Sequence, residues 1–235
     1  MTADFLLSEL LSVADPDKAL FLQRFFKTMP GQYAEGDVFL GIRVPIIREI
    51  AKTNRATPLE ELGVLIQSPY HDARLCALLI LLEHFKRSKD VVVKAYCFQF
   101  YLQHTAFINN WDLVDVTCPH IVGAWLMDKD REVLYRLAES TDLWEQRIAI
   151  VSTLAFVRKG QFHDTLELVK KLIAHPHDLI HKAMGWTLRE VGKKDRLQLT
   201  AFLDDYATRL PRTTLRYAIE HYPEEERKAF LLRKA

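Results

Sequence analysis

Asn109-Asn110-Trp111-Asp112-Leu113-Val114-Asp115 sets an indole and a carboxylate four residues apart. On a helix that separation stacks the two side chains on one face, one turn above the other. Tryptophan is costly to leave exposed and a carboxylate is costly to bury unpaired. The pair therefore has two readings. In one, Trp111 is core and Asp115 pairs with an arginine at a helix–helix seam. In the other, an aromatic face and a carboxylate act together on a ligand.

Outward from this stretch the chain is helical in both directions. Apolar side chains recur at helical spacing over residues 4–13, 17–29, 46–54, 59–67, 72–86, 90–103, 111–118 and 120–127, and again over 131–139, 143–158, 164–174, 179–192, 196–210, 213–221 and 224–233. In residues 17–29 the expected buried stripe is Leu20, Phe21, Phe25 and Phe26. Breakers punctuate the series at Thr57-Pro58, Ser68-Pro69, Cys118-Pro119, His175-Pro176 and Tyr222-Pro223. No window alternates with period two, so no strand is expected. Short helices in succession without a long loop predict an all-α chain of antiparallel helix pairs, stacked as a curved α-solenoid with a concave groove. Residues 1–235 then form one helical repeat domain, ended by the polar Glu224-Glu225-Glu226-Arg227-Lys228. The segment richest in turn residues, Gly31 to Asp37, is expected to be a surface loop able to touch a ligand.

Lys+Arg number 32 and Asp+Glu 31, so a nucleic-acid binder would have to gather its positive charge on one face. Cys76, Cys97 and Cys118 lie apart in apolar surroundings and form no C-x-x-C pair, which argues for buried hydrophobes rather than a zinc site or disulfides. Residues 1–11 lack a basic n-region, and the longest apolar run, Leu75 to Leu82, is far too short for a membrane span. These features predict a cytoplasmic protein without a membrane segment.

Two later stretches repeat the opening theme: Trp144-Glu145-Gln146-Arg147-Ile148-Ala149-Ile150 and Lys182-Ala183-Met184-Gly185-Trp186-Thr187-Leu188-Arg189-Glu190. In the order W-D-x-V-D, W-x-Q-R-x-A-I and K-A-x-G-W-x-L-R-E, the three segments resemble the AlkD-like DNA alkylation-repair family, which are DNA glycosylases built from HEAT-like repeats. The similarity runs from about Phe21 to about Tyr217. It implies that Trp111, Asp115 and Trp186 form a catalytic aromatic–carboxylate–aromatic group and that Arg147 contacts DNA. It further implies excision of cationic N3- or N7-alkylated purines from duplex DNA without burial of the base, since a groove on helices offers no enclosed pocket. Some relatives bind distorted or branched DNA without cutting it, which is the alternative function; a helical protein scaffold is a third. Tyr33 lies near a family tyrosine but one residue short of its spacing to Phe39-Leu40-Gly41-Ile42, so no role is carried over to it.

The remaining candidates follow from position. Arg147 and Lys182 belong to the motifs, while Arg158, Lys159, Arg189, Arg212 and Arg216 are placed on the concave face from helical order. Pro211-Arg212-Thr213-Thr214 offers hydroxyls and an arginine at a helix start, which suits a phosphate. Asp112 lies in a first turn, where a carboxylate favours the helix dipole, so it is not expected to be catalytic. Trp144 is expected to cover a helix start after Thr141-Asp142, and Trp125 to be core. His175, His177, His181 and His120 show no metal-ligand spacing, so no metal and no cofactor is expected. No long apolar helix face stands out, and a monomer acting on double-stranded DNA is expected.

Overall fold

Thr2, Asp15, Asp90, Asn110, Asp142 and Asp195 each stand just ahead of a helical segment, and each side chain accepts a hydrogen bond from a first-turn backbone N–H. Such caps satisfy donors that a helix start leaves open, and they divide the sequence into many short helices. The computed structural model describes residues 1–233. Among the described residues no strand forms, and extended backbone meets only at an isolated bridge between Val38 and Tyr70.

The chain divides into two compact units, Met1–Thr117 and the residues from Cys118 onward. The first holds α1 (Ala3–Ser12), α2 (Pro16–Phe25), α3 (Val44–Thr53), α4 (Leu59–Leu65), α5 (His71–Arg87), α6 (Val91–Gln103) and α7 (Trp111–Asp115). Helix α5 is its centre. Every residue from His71 to Leu82 is buried, and α1, α3, α4 and α6 pack around it. A helix that is apolar all round belongs inside a domain.

The second unit opens with a π-helical turn at Pro119–Gly123. It continues through α8 (Glu132–Glu139), α9 (Leu143–Ser152), α10 (Leu154–Val157), α11 (His163–Leu172), α12 (Asp178–Lys194), α13 (Arg196–Tyr206), α14 (Arg212–Ala218) and α15 (Glu224–Leu232). Here α12 is the centre, packed most extensively on α14 and also on α9, α11 and α13. Helices α9 and α10 replace the single helix expected over residues 143–158. The break falls at Thr153, whose hydroxyl donates back to the Ile150 carbonyl at 2.6 Å and competes with the helix ladder.

The class expected from the sequence, all-helical, is the class observed. Three expectations need correction. Helix α2 stops at Phe25, because Lys27 adopts a left-handed φ of 56°, and only Phe26 of the expected stripe is buried. Leu20, Phe21 and Phe25 face solvent instead. Trp125 is not core: it is half-buried, with the Lys129 ammonium 3.9 Å from its ring centroid. The segment Gly31 to Asp37 is only partly a surface loop, since Asp37 is buried.

Gly185 explains how α12 and α14 come so close. A Cβ there would lie 2.4 Å from Tyr217 Cβ and 2.8 Å from the Thr214 carbonyl. We expect Gly185→Ala to destabilise the protein by about 1–3 kcal/mol through overpacking. Urea unfolding checks this, and an unchanged midpoint would show that the two helices can part without cost.

Candidate active site

His71-Asp72-Ala73-Arg74 puts three ionisable side chains at the start of the most buried helix, where each needs a partner. His71 Nδ1 faces Asp37 Oδ2 at 3.0 Å, and Nε2 faces Asp112 Oδ2 at 2.9 Å. With a carboxylate oxygen on each ring nitrogen, both nitrogens carry a proton and the imidazole is a cation. Burial works to lower the His71 pKa, but the charges and hydrogen bonds of Asp112 and Asp37 outweigh it and raise the value to about 9. Burial likewise pushes the Asp37 carboxyl up, and His71 and Arg74 together more than reverse it, leaving it below its ordinary value.

This ion chain anchors what flanks it. Arg74 binds Asp37, the Asn109 side-chain oxygen at 3.1 Å and the Ser68 carbonyl at 3.0 Å. Asn110 donates to Asp37 at 3.3 Å and caps α7 by accepting from the Trp111 N–H at 2.9 Å. Asp72 accepts from the Leu40 and Ile42 N–H groups at 2.7 and 3.0 Å, fixing the bend at Gly41. At Gly41 φ is +80° and a Cβ would meet the Asp15 carbonyl at 2.1 Å. Asp112 does occupy the first turn of α7, as expected, and it also pairs with His71. Asp37, His71 and Arg74 were not singled out by the sequence reading. The available signal was three ionisable residues leading directly into the Leu75–Leu82 apolar run.

Helix α7 therefore carries Trp111 and Asp115, both half-buried, on a fixed base. The indole stacks on Phe26, with centroids 5.1 Å apart and planes at 16°, and Phe25 meets it edge-on at 6.3 Å. Phe26 in turn stacks on Phe39, which stacks on His71 at 4.3 Å. Beneath α2 lies a cavity of about 250 Å³, walled by Phe21, Leu22, Phe26, Phe39 and Ile47, with His71 and Asp112 at its polar end. This half-open cavity beside α7 was not expected.

In the second unit, α12 carries Lys182, Trp186 and Arg189. Trp186 is half-buried and lines a cavity of about 170 Å³ with Arg158, Glu190, Lys194, Leu154 and Val157. Lys182 pairs with Asp178 at 2.8 Å, and Arg189 pairs with Glu220 and lies 3.6 Å from Glu190. Arg147 is 5% exposed and donates to the Leu179 carbonyl in the first turn of α12. Arg212 and Arg216 are exposed on α14. The neighbouring hydroxyls are already used: Thr213 donates to Asp178 at 3.2 Å and Thr214 to the His181 carbonyl at 2.9 Å. Trp144 is buried, and Asp142 caps its helix at 2.8 Å from the Trp144 N–H. Unit two thus brings together Arg147, Arg158, Lys182, Trp186 and Arg189 around α12, whereas Trp111 and Asp115 belong to unit one.

The family model for DNA alkylation repair enzymes matches residues 6–222. The chain belongs to the DNA alkylation repair enzyme family. The fold is similar to that of a predicted DNA alkylation repair enzyme from Enterococcus faecalis, with a TM-score of 0.67 and 19% identity over 90% of this chain and 97% of that one. At that identity the likeness speaks for the fold alone. No curated protein matches the sequence. As a DNA alkylation repair family member the chain has DNA as its natural partner. Among the described residues no helix is long and apolar enough to cross a membrane, and no group of three or more His, Cys, Asp or Glu is placed to hold a metal ion. Cys76, Cys97 and Cys118 are all buried, and burial pushes the Cys76 thiol up to about 12.

The His71 arrangement sets a pH dependence. Because its folded pKa is raised, its contribution to stability is complete below about 6.5 and is lost as pH rises through about 9. The difference corresponds to roughly 3 kcal/mol. We expect the urea midpoint to fall between pH 6 and pH 9.5, and His71→Gln to flatten that fall while lowering stability at pH 6. Parallel wild-type and variant profiles would remove the imidazolium from the account.

Proposed function

We propose that this family member is a DNA glycosylase that hydrolyses the N-glycosidic bond of cationic N3- or N7-alkylated purines in duplex DNA, without drawing the base into a protein pocket. The observation that carries this is α7. Trp111 and Asp115 share one turn of helix, and a buried ion chain and an aromatic stack fix that turn. The assignment of Trp186 and Arg147 to the same chemistry rests on the sequence motifs.

An alkylated purine of this class is already positive. When the C1′–N bond breaks, its electron pair passes to the base, which leaves neutral and needs no acid. The positive charge moves to the sugar, where a carboxylate stabilises it electrostatically. Water then adds to C1′ and gives up a proton, for which Asp115 is the acceptor. Indole faces attract cationic groups by about 0.5–2 kcal/mol, so Trp111 and Trp186 favour the charged nucleotide over a neutral one. Nothing in this sequence of steps calls for a metal or a cofactor.

The cavity beneath α2 supports the part of the reading that leaves the base outside. Its walls are largely apolar, and both of its carboxylates are engaged: Asp112 accepts from His71 and from the Leu113 N–H at 2.9 Å, and Asp72 from the Leu40 and Ile42 N–H groups. It has few groups left with which to read a base edge. Arg147, Lys182, Arg189, Arg158, Arg212 and Arg216, all in the second unit, are the proposed DNA-binding cations. Arg147 would do so from a guanidinium already held against α12. We further propose that the protein acts as a monomer in the cytoplasm.

Asp115→Asn is expected to keep most DNA affinity and to slow single-turnover release of 7-methylguanine by about 10²–10³-fold, the scale set by loss of one electrostatic stabiliser. A near wild-type rate would end the catalytic assignment. A wild type that binds methylated duplex but leaves no abasic sites would instead favour a DNA-structure-binding role. A panel of matched duplexes tests selectivity: cationic lesions, including large alkyl adducts, should be released, and uracil and hypoxanthine retained. Efficient uracil release would point to a pocket that reads shape. Arg147→Ala is expected to weaken binding to damaged and undamaged duplex alike and to lower the salt slope by about 1. An unchanged slope would move Arg147 to a structural role.

A further inference from the structure

Helix α2 has no buried residue, although its sequence is apolar on one face. Leu20 is 60% exposed, Phe21 67% and Phe25 56%, and Met29 in the turn beyond is 62% exposed. The Phe21 and Phe25 rings stack on each other with centroids 6.3 Å apart and planes at 16°, which orders the face without covering it. Exposed apolar side chains gathered on one short helix and the turn beyond it mark a place where something binds.

The charge around it says what. Residues 17–49 contain Lys18, Arg24, Lys27, Arg43 and Arg48 against four acids, Asp17, Glu35, Asp37 and Glu49. Asp37 is buried against His71 and Arg74, and Glu35 accepts from the Gly31 N–H at 2.8 Å. Arg24, Lys27, Arg43 and Arg48 are exposed, and none is in an ion pair among the described residues. A second copy of the chain meeting this face symmetrically would bring the same cations together. A polyanion with apolar surfaces is the complementary partner. The face is also continuous with the candidate site, since Phe25 meets Trp111 edge-on.

We propose that the Leu20–Phe21–Phe25–Met29 face is a second DNA-contacting surface, packing on deoxyribose and base faces laid open at a destacked step, with the flanking cations on the phosphates. Phe, Leu and Met side chains act in this way where proteins wedge against base steps, and aromatic rings stack on any base. The surface rests on the DNA-repair reading above and extends it to recognition of a distorted duplex.

The test compares binding of the full chain to a paired duplex and to the same duplex with a tetrahydrofuran abasic analogue, by fluorescence anisotropy across salt. For Phe21→Ser/Phe25→Ser we expect about tenfold weaker binding to the abasic duplex, under threefold for the paired one, and an unchanged salt slope, because the lost contact is uncharged. Arg24→Ala/Lys27→Ala should lower the slope by about 1–2 on both duplexes. If the serine variant loses its melting transition, Phe21→Leu/Phe25→Leu, which removes the rings and keeps apolar area, should still lose about threefold on the abasic duplex. Equal loss on both duplexes, or none, overturns the proposal. So does a wild type that sediments as a dimer and a variant that is monomeric with unchanged DNA affinity. The readout is binding rather than excision. A wild type that excises nothing while its variant loses abasic affinity would sink the glycosylase reading and leave this surface standing; normal excision with normal variant binding would do the reverse.

Discussion

A protonated imidazole buried between two carboxylates is the constraint on which the first unit depends. His71 joins the turn at Asp37 to helix α7 through Asp112, and without it the buried Asp37 would lose one of three side-chain partners and Asp112 its imidazolium partner. Buried charges of this kind are costly, and completing the set with Arg74, Asn109 and Asn110 is what makes the cost bearable. The gain is specificity of placement. Each member accepts or donates in a fixed direction, so α7 has one seat on α5 and not several.

The second unit solves a similar problem by contact rather than charge. Gly185 lets α12 and α14 approach until backbone meets side chain, which packs α14 close beneath the helix that presents Lys182, Trp186 and Arg189. Charge then sits on the surface of that scaffold in matched pairs, Lys182 with Asp178 and Arg189 with Glu220. For Lys182 or Arg189 to meet a phosphate, each would first have to leave its carboxylate. Exposed pairs of this sort are weak, commonly under about 1 kcal/mol, and a phosphate can displace them.

Much of this was legible in the sequence because helix spacing and caps are local. The all-helical class, the α7 start at Asn110 and the cap at Asp142 all follow from residues within a few positions of one another. Helical spacing also placed Trp111 and Trp186 on helices, where α7 and α12 carry them. Long-range pairing was not legible. Asp37, His71 and Asp112 are separated by 34 and 41 positions, and nothing in any one segment says that they meet. The misread α2 has the same origin. Helical spacing of Leu20, Phe21 and Phe25 shows that one face is apolar, but not whether protein or something else will cover it.

Helix α7 itself shows how one turn serves two purposes. It is five residues long, too short to hold itself together by its own hydrogen bonds. Positions 111 and 115 fall on one face, while 112 lies about 100° around the axis. Asn110 and Asp112 are turned into the protein and spend their polar atoms on Asp37, His71 and the helix's own N–H groups. Trp111 and Asp115 are left on the other side, the first gripped by Phe26 and the second one turn below. The brevity of α7 and the extent of its foundation are therefore one feature: the ion chain and the aromatic stack hold in place what five residues of helix cannot hold by themselves.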